Sequence, residues 1–283
     1  MKISDILRQK RPVSFEIFPP KGELSTESFR ETLDALSALH PDFINVTCSA
    51  GGSGNHDRTA ELAGIIQQEY GIASCAHLTC VNSDGAMLAS DVAALQANGI
   101  ENVLALRGDI IPDVSSRVFA HAVELMDYLR GKNLCVGGAC YPEGHIECAD
   151  PAVDLRYLYD KQQAGAEFFI SQLFFDNECF YRFMEKARKT GITIPVLPGV
   201  MPILSKAQIE RMIFTCGASL PSAIIRILNR YENDPASLRK AGIDYAVAQI
   251  RDLWANGADG IHVYTMNRPQ IATDILEGMK GCV

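Results

Sequence analysis

The sequence lacks a hydrophobic run long enough to cross a membrane, and its first residues lack the core of a signal peptide. No apolar stretch among the 283 residues approaches the roughly 20 that a membrane-spanning helix requires. Residues 1–8 read MKISDILR, so charged side chains interrupt the positions from which a signal peptide builds its apolar core. We therefore expect a cytoplasmic protein that does not bind membranes.

The chain also lacks an excess of positive charge. It contains 26 lysine and arginine residues against 34 aspartate and glutamate residues, which gives a formal net charge of −8. Phosphate backbones and anionic lipid surfaces repel such a protein, so neither a nucleic acid nor a membrane is expected as its main partner. Apolar residues make up 47% of the chain and charged residues 21%, a composition that predicts a folded protein rather than a disordered one.

No two of the nine cysteines are spaced as Cys-x-x-Cys, the pairing that is typical of zinc and iron–sulfur sites. Cys75, Cys135 and Cys140 lie within apolar segments, where a free thiol packs as a small hydrophobic side chain. We therefore predict buried, unpaired thiols in a reducing compartment, and no metal site.

Short apolar segments alternate with segments of helical periodicity along the chain. The predicted strands are residues 13–18, 43–47, 73–79, 102–106, 134–140, 168–174, 193–197 and 260–265. The predicted helices are residues 25–39, 57–70, 84–98, 117–130, 151–164, 178–190, 206–214 and 269–279. Strand–helix units of this kind, with strands apolar on both faces, predict an α/β fold, an eight-stranded parallel (β/α) barrel of the TIM type.

An open, doubly wound sheet is the alternative to a closed barrel. Such a sheet usually has a Gly-x-Gly-x-x-Gly turn after its first strand, whereas residues 19–22 here are Pro-Pro-Lys-Gly. Residues 217–257 are too many for one loop and carry helical patterns, so extra helices are expected before the last strand. Because the chain contains no linker or low-complexity tract, we expect residues 1–283 to form one domain.

Polar residues stand at or just beyond the ends of the predicted strands, where barrels of this type carry their chemistry. They are Glu16, Thr47, His77, Thr79, Arg107, Gly108, Asp109, Tyr141, Glu143, His145, Gln172, Tyr264, Asn267 and Arg268. Glu16 is the most informative because it lies between Phe15 and Ile17. Burial raises the pKa of a carboxyl group, so Glu16 is predicted to donate a proton near neutral pH. The alternative is a structural ion pair with a buried lysine or arginine.

Other residues at the strand ends permit a structural interpretation beside a functional one. Gly108 would let the backbone approach a ligand, with Arg107 and Asp109 setting the local charge, or the three residues form a polar turn. His77 is interpreted as a core histidine whose hydrogen bonds are satisfied. Gln172 lies in an apolar strand and needs partners there, which either a ligand or the protein itself could supply.

Eight short motifs follow one another along nearly the whole chain. They are residues 14–21 (SFEIFPPK), 46–47 (VT), 77–80 (HLTC), 105–109 (ALRGD), 141–145 (YPEGH), 171–175 (SQLFF), 198–202 (PGVMP) and 264–268 (YTMNR). In this order they resemble the motifs of the methylenetetrahydrofolate reductases, flavin-containing barrel enzymes of one-carbon metabolism. The chain is similar to the short bacterial form, which has no regulatory domain. Each motif is modest alone, whereas eight in the same order are specific.

The resemblance implies a cofactor, a substrate and a reaction. NADH or NADPH would pass hydride to FAD and leave, and 5,10-methylenetetrahydrofolate would then bind and be reduced to 5-methyltetrahydrofolate. Glu16 would be the general acid that protonates the departing nitrogen of the methylene bridge. Asp109 would be the carboxylate that stabilises positive charge developing on the folate.

The same resemblance implies a set of binding residues. Those implied for the cofactors, with Thr47 as a nicotinamide contact, are Thr47, Cys48, Ala50, His77, Arg107, Gly108, Asp109, Ala120, Tyr141, His145, Asp154 and Lys161. Those implied for the folate are Glu16, Asp109, Gln172, Gln208 and Arg268. The guanidinium of Arg268 suits the glutamate carboxylate of that substrate.

Four residues depart from the family's pattern and bear on the electron donor. Cys48 stands where a tyrosine is common beside the flavin, and Met212 stands where a phenylalanine is expected over the nicotinamide and folate site. Tyr157 and Asp160 replace an asparagine and an arginine near the cofactor. Some members that resemble this chain take electrons through a second, metal-bearing subunit. The implied partners are therefore the folate together with either further copies of the chain or an electron-transfer subunit.

Two functions of other classes stay open at this point. A folate-binding or electron-relay flavoprotein subunit would be active only with a metal-bearing partner. A metal-assisted barrel lyase or aldolase would need a cluster of histidine and carboxylate ligands, or a Schiff-base lysine, at a strand end, and the sequence presents no convincing one.

Overall fold

The computed structural model describes residues 1–19, 26–48, 56–110 and 118–282, and Ala50, implied for the cofactor, lies outside them. The described strands form one sheet in which every neighbouring pair is parallel. They are β1 (Val13–Ile17), β2 (Phe43–Val46), β3 (Ala73–Thr79), β4 (Asn102–Leu106), β5 (Cys135–Cys140), β6 (Phe168–Ser171), β7 (Val196–Leu197), β8 (Gly199–Val200) and β9 (Ile261–Tyr264).

Helices follow most of the strands and pack around the sheet. They are α1 (Ile3–Gln9), α2 (Thr26–Ser37), α3 (His56–Glu69), α4 (Gly85–Ala97), α5 (Ala122–Leu129), α6 (Pro151–Gln163), α7 (Asn177–Thr190), α8 (Lys206–Cys216), α9 (Ser222–Arg230), α10 (Pro235–Ala255) and α11 (Pro269–Met279). Within the described ranges, none of these helices combines the length and the apolar character that crossing a bilayer demands.

The sheet closes on itself at Pro198. The strand order is β7-β6-β5-β4-β3-β2-β1-β9-β8, and this one residue separates the two outermost strands along the chain. Proline has no N–H to donate to a neighbouring strand. Before Pro198 the chain pairs with β6, and after it the chain pairs with β9. The His262 N–H of β9 donates to the Pro198 carbonyl at 3.0 Å. β7 and β8 are thus one interrupted strand. The predicted eight-stranded barrel is confirmed, but its seventh strand, predicted over residues 193–197, instead consists of residues 196–197 and 199–200.

The other differences from the predicted elements have local causes. β6 ends at Ser171 rather than at residue 174, because the carbonyls of Phe174 and Phe175 accept hydrogen bonds from the Gln249 and Tyr245 side chains of α10. The helix predicted over residues 117–130 begins later, as α5. The extra helices expected before the last strand are present as α9 and α10.

Helix α1, which the sequence analysis did not predict, closes the N-terminal end of the barrel. Its Ile3 and Ile6 are buried in a cluster that includes Phe43 and Phe168, each at the start of a strand. Asn102 fixes the helix, since its Oδ1 accepts the Ile3 N–H at 2.7 Å and its Nδ2 donates to the Met1 carbonyl at 3.1 Å. Because this end is filled, a ligand can approach from the C-terminal ends of the strands, which we call the barrel mouth.

The prediction of buried thiols is confirmed. Cys75, Cys135 and Cys140 are fully or almost fully buried, and each is a free cysteine. Burial raises the pKa of Cys135 to about 11, so this thiol stays protonated at neutral pH and packs as an apolar side chain.

Candidate active site

Glu16 lies inside the barrel mouth beside two histidines. Its Oε2 is 3.6 Å from Nε2 of His77 and 3.6 Å from Nε2 of His262. His262 is fully buried, His77 is 8% exposed and the Glu16 side chain is 21% exposed. The burial predicted for Glu16 is therefore partial, whereas His77 is buried as predicted for a core histidine. The ionisable groups against this carboxyl are imidazoles, not the lysine or arginine of the structural alternative.

Parallel register brings this cluster together. Ser14 of β1 pairs with His262 of β9, and Glu16 pairs with Asn45 of β2. Side chains two residues apart on a strand face the same side, so Ser14 and Glu16 both point into the lumen. His77 completes the cluster from β3, which is the neighbour of β2.

Hydrogen bonds around His262 determine which of its nitrogens carries the proton. The Ser14 hydroxyl donates to the Ile261 carbonyl at 3.2 Å, and its oxygen lies 2.9 Å from Nδ1 of His262. Since a hydroxyl has a single hydrogen, this oxygen accepts from the Nδ1–H group. This tautomer leaves Nε2 unprotonated on the side of Glu16.

His77 directs its accepting nitrogen to Asn45. Nδ2 of Asn45 lies 3.4 Å from Nε2 of His77, and an amide nitrogen can only donate. Burial lowers the pKa of His77 to about 4, against the attraction of Glu16, so the ring is neutral at neutral pH. The lone pair of His77 Nε2 is therefore used by Asn45, and Nε2 of His262 is the imidazole acceptor that is left facing Glu16.

Two buried polar atoms in this cluster make no hydrogen bond within the described part of the chain. They are Oδ1 of Asn45 and Nε2 of His262. Buried polar atoms in folded proteins are nearly always satisfied, so this pair marks a place that a ligand group or an ordered water completes. The lumen beside Glu16 is thus suited to a polar ligand.

Arg107, Gly108 and Asp109 form a turn at the end of β4. Gly108 has a φ of +84°, and a β-carbon there would lie 2.9 Å from Cβ of Thr79, so conformation and space both require glycine. Asn82 fixes the turn by donating from Nδ2 to the Asp109 carbonyl at 2.7 Å. The turn leaves Asp109 exposed at the rim of the mouth.

A cavity of about 560 Å³ begins at the ends of β4 and β5 and continues between α5 and α6. Residues implied for the cofactor contribute much of its lining: Arg107, Tyr141, His145, Asp154 and Lys161. A cavity lined by two cations and several aromatic rings fits a dinucleotide, whose phosphates need cationic donors and whose rings need flat faces. The residues present are therefore suited to FAD.

The two cations of this cavity are held in different ways. Lys161 donates from Nζ to the Ala139 carbonyl at 2.8 Å, and burial lowers the pKa of its ammonium group. Arg107 forms an ion pair with Glu147, and the hydrogen bond between them raises the pKa of the guanidinium. Both side chains keep further N–H donors with which to bind phosphate oxygens.

Tyr141 and His145 form part of the cavity wall, packed edge to face with 4.7 Å between ring centroids. Burial raises the pKa of Tyr141 to about 12. Burial and the positive charge of Arg107 lower the pKa of His145. Both rings are therefore neutral at neutral pH. Asp154 accepts the His145 backbone N–H at 3.2 Å, which fixes the loop that carries this histidine.

Gln172 and Gln208, both implied for the folate, lie on separate segments. Gln172 directly follows β6 and is half-buried. The amide of Gln208 binds its own loop, since its Oε1 accepts the Leu204 N–H at 2.8 Å and its Nε2 donates to the Pro202 carbonyl at 3.2 Å. In this structure Gln208 shapes the loop before α8.

Arg268 is exposed at the start of α11, after an unusual turn. Met266 and Asn267 have φ angles of 56° and 53°, a left-handed backbone conformation that residues other than glycine rarely adopt. Asn267 stabilises the turn by accepting the Phe18 N–H at 2.9 Å and donating to the Phe18 carbonyl at 2.7 Å. The turn is thereby attached to the residue that follows β1, the strand of Glu16.

The remaining implied cofactor residues are less clearly grouped. Thr47 and Cys48 follow β2 at the mouth and are half-buried. Ala120 is exposed before α5, and its N–H donates to the Glu124 side chain at 2.7 Å. The structure thus gathers only part of the predicted set: Glu16 lies beside His77 in the lumen, and a second group lines the cavity around Arg107.

Three members of the lumen cluster were not predicted: Ser14, Asn45 and His262. Each lies two residues before a polar strand-end residue that the sequence analysis did identify. Alternation along the strands was the signal that could have found them, because residues two apart share a face. These three residues lie one step further inside the barrel than the strand ends, so the strand ends alone did not reveal them.

The fold and site define an α/β-barrel protein of a recognisable class. Its mouth holds a carboxyl group beside two histidines, and a cavity suited to a phosphate-containing cofactor begins at the ends of β4 and β5. Such an arrangement at the C-terminal ends of barrel strands is typical of cofactor-dependent enzymes.

Comparison with known proteins identifies the family. The chain belongs to the methylenetetrahydrofolate reductase family, whose model matches residues 2–280. It is 31% identical over 261 residues to the 5,10-methylenetetrahydrofolate reductase of Pectobacterium carotovorum subsp. carotovorum, covering 92% of this chain and 87% of that protein. It is 34% identical over 310 residues to methylenetetrahydrofolate reductase 2 of Schizosaccharomyces pombe, a match that covers 98% of this chain and 47% of the yeast protein. The chain therefore spans about half the length of the yeast relative, and the resemblance seen in the motifs is confirmed.

A solved structure shows the same fold. It is a protein from Clostridium thermocellum that binds two copies of 5-methyl-5,6,7,8-tetrahydrofolic acid, and it matches with a TM-score of 0.66. The match covers 98% of each chain at 15% sequence identity, which supports the fold alone.

Proposed function

We propose that the chain reduces 5,10-methylenetetrahydrofolate to 5-methyltetrahydrofolate, with FAD as bound cofactor and NADH or NADPH as electron donor. The observation that carries the proposal is the Glu16 carboxyl in the barrel mouth, 3.6 Å from each of two imidazole nitrogens. The family and the bacterial relatives named for this reaction support it. The maize relative is named as an NADH enzyme, which favours NADH as the donor.

Glu16 is proposed to give its proton to the departing nitrogen of the methylene bridge. The bridge must open to an iminium before it accepts hydride, and opening requires a proton on that nitrogen. The accepting Nε2 of His262 faces the Glu16 carboxyl group, which can hold the proton there until the folate arrives.

The cavity residues are proposed to hold the cofactor. When bound, FAD would supply the hydride chemistry by taking two electrons from the nicotinamide and passing them to the folate. Arg107 and Lys161 are proposed to bind its phosphates, and Tyr141 and His145 to form a wall beside it.

Asp109 and Arg268 are proposed to act on the folate. Asp109 is exposed at the rim, where its carboxylate can stabilise positive charge that develops when the bridge opens. Arg268 is exposed at the start of α11, where its guanidinium can bind the glutamate carboxylate of the substrate.

Anaerobic mixing tests the proposal. The FAD-loaded protein is mixed separately with NADH, NADPH and reduced ferredoxin while the absorbance of oxidised flavin is followed, and 5,10-methylenetetrahydrofolate is then added. We expect a nicotinamide to bleach the flavin, and the folate to restore the absorbance with formation of 5-methyltetrahydrofolate. Bleaching by ferredoxin alone would contradict the proposed donor, and a reduced flavin that the folate does not reoxidise would contradict the proposed reaction.

A further inference from the structure

We propose that the rings of His121 and Tyr157 form the platform on which the adenine of the dinucleotide cofactor stacks, an inference that rests on the proposed function. The two rings are nearly parallel, with 17° between their planes and 6.3 Å between their centroids. Both line the cavity that begins at the ends of β4 and β5. They are contributed by different elements, since His121 is the N-cap of α5 and Tyr157 lies on the second turn of α6.

The position of this pair along the cavity indicates which part of the cofactor it meets. The reacting ring of the flavin has to reach the barrel mouth, because the proton donor Glu16 lies there. From the mouth the cavity runs past Arg107, at the end of β4, and outward between α5 and α6. A dinucleotide that starts at the mouth therefore places its second base between these two helices, where His121 and Tyr157 stand.

The chemistry of the pair suits a base better than a sugar or a phosphate. The Tyr157 side chain is 51% exposed although it lines a cavity, so the ring has accessible surface. A flat heteroaromatic ring gains stacking and apolar contact from such a surface, whereas a phosphate gains neither. Val123 and Val153 add apolar lining at this end.

Asp160 supports the same assignment by its charge. It lines the cavity three residues after Tyr157, which places the two side chains on one face of α6. A carboxylate repels phosphate but accepts a hydrogen bond from an amino group, and adenine carries such a group on its ring. Tyrosine and aspartate stand here in place of the asparagine and arginine that the family resemblance implied. The platform is therefore a property of this chain's own residues.

Comparing FAD with FMN isolates the adenine, because FMN has the same flavin ring, ribityl chain and first phosphate but no adenosine. The full-length protein, freed of flavin, is titrated with each ligand while the quenching of flavin fluorescence is followed. We expect Tyr157→Ala to weaken FAD binding about tenfold and to leave the affinity for FMN within twofold of the parent value. Tyr157→Phe keeps the ring and is expected to keep the parent affinity for both ligands.

Tyr159→Ala is the matched control. Tyr159 lies on the same helix and is also partly exposed, but it packs near Gly191 rather than in the cavity. This variant is expected to bind both flavins as the parent does. Circular dichroism and thermal unfolding of each variant verify that the fold is intact.

Several outcomes would overturn the inference while leaving the proposed function in place. One is an equal loss of FAD and FMN affinity in Tyr157→Ala, which would indicate a structural role. Another is an unchanged affinity for FAD, and a third is a parent protein that binds FMN as tightly as FAD. A parent protein that binds neither flavin would instead overturn the proposed function itself, and the inference with it.

Discussion

The chemistry available to Glu16 depends on which nitrogen atoms its two histidine neighbours present to it. Ser14 fixes the proton of His262 on Nδ1, and Asn45 donates toward Nε2 of His77. His262 therefore offers a lone pair to the Glu16 carboxyl group, whereas the lone pair of His77 Nε2 is used by Asn45. A protonated carboxyl group can donate toward Nε2 of His262, whereas a carboxylate and an unprotonated imidazole nitrogen are both acceptors.

The buried neutral state of His77 predicts a pH dependence of stability. Its pKa falls from 6.5 to about 4 on folding, mainly because burial penalises the charged ring. The unfolded chain therefore binds a proton as the pH drops below about 6.5 while the folded chain does not, so the free energy of unfolding decreases between about pH 6.5 and 4. The contribution lost across this window is on the order of 3 kcal/mol.

Urea unfolding at pH 7, 5.5 and 4.5 measures this effect. His77→Gln removes the titrating group, so the free energy of unfolding of this variant is expected to vary less over the window than that of the parent. An identical pH dependence in the two proteins would show that His77 is not the group responsible.

The conformation of Gly108 predicts an effect of substitution on stability. A β-carbon at this position would be strained at a φ of +84° and would lie 2.9 Å from Cβ of Thr79. Gly108→Ala is expected to lower the free energy of unfolding by about 2–4 kcal/mol, the sum of the left-handed strain and the overpacking. Chemical denaturation of the purified variant checks this value.

Gly131→Ala is the matched control for the backbone term. Its φ of +77° is similar, but an added β-carbon meets nothing within 4 Å. This variant is expected to lose only the strain of about 1–2 kcal/mol. Equal losses in the two variants would mean that the contact with Thr79 is relieved without cost.

Among the elements, α1 has a role out of proportion to its seven residues. It fills the N-terminal end of the barrel with Ile3 and Ile6 and is held there by the side chain of Asn102. The polar residues can then lie at the barrel mouth while the N-terminal end of the lumen stays closed to water. The helix thereby supports a site that it does not touch.

Truncating Ile3 tests this role. Ile3 is fully buried, so Ile3→Ala is expected to lower the free energy of unfolding by about 2–5 kcal/mol through lost burial and a residual cavity. Ile225→Ala, at a half-exposed position on α9, is expected to change it by less than about 0.5 kcal/mol. Equal, small effects in urea denaturation would show that α1 does not contribute to the core.

At the scale of the whole molecule, closure of the barrel assembles the site. Ser14 and His262 are 248 residues apart in sequence, yet they are neighbours because β1 pairs with β9. The strand interrupted at Pro198 completes the ring, because its first part, β7, pairs with β6 and its second part, β8, pairs with β9. The proton-holding cluster therefore forms only when the last strand has joined the first.

The sequence predicted the barrel well because the alternation of apolar strands and amphipathic helices determines which segments form the sheet, which pack around it, and in what order they follow. It predicted residues at the strand ends, such as Glu16 and Arg107, because the C-terminal ends of parallel strands converge. It did not reveal α1, whose two buried isoleucines are too few to establish a period. His262 was missed as well, since its role depends on register with Ser14, and register is a property of the assembled sheet.

The central claim is that Glu16 supplies the proton for opening the methylene bridge, and comparing the two half-reactions of Glu16→Gln tests it most directly. In stopped flow, flavin reduction by NADH needs no such proton and is expected to keep the parent's rate. Reoxidation by 5,10-methylenetetrahydrofolate is expected to slow at least 100-fold, the usual effect of removing a general acid. Glu101→Gln, altered at the opposite end of the barrel where Glu101 pairs with the N-terminus, is expected to leave both rates unchanged. A Glu16→Gln variant that reduced the folate at the parent's rate would contradict the claim.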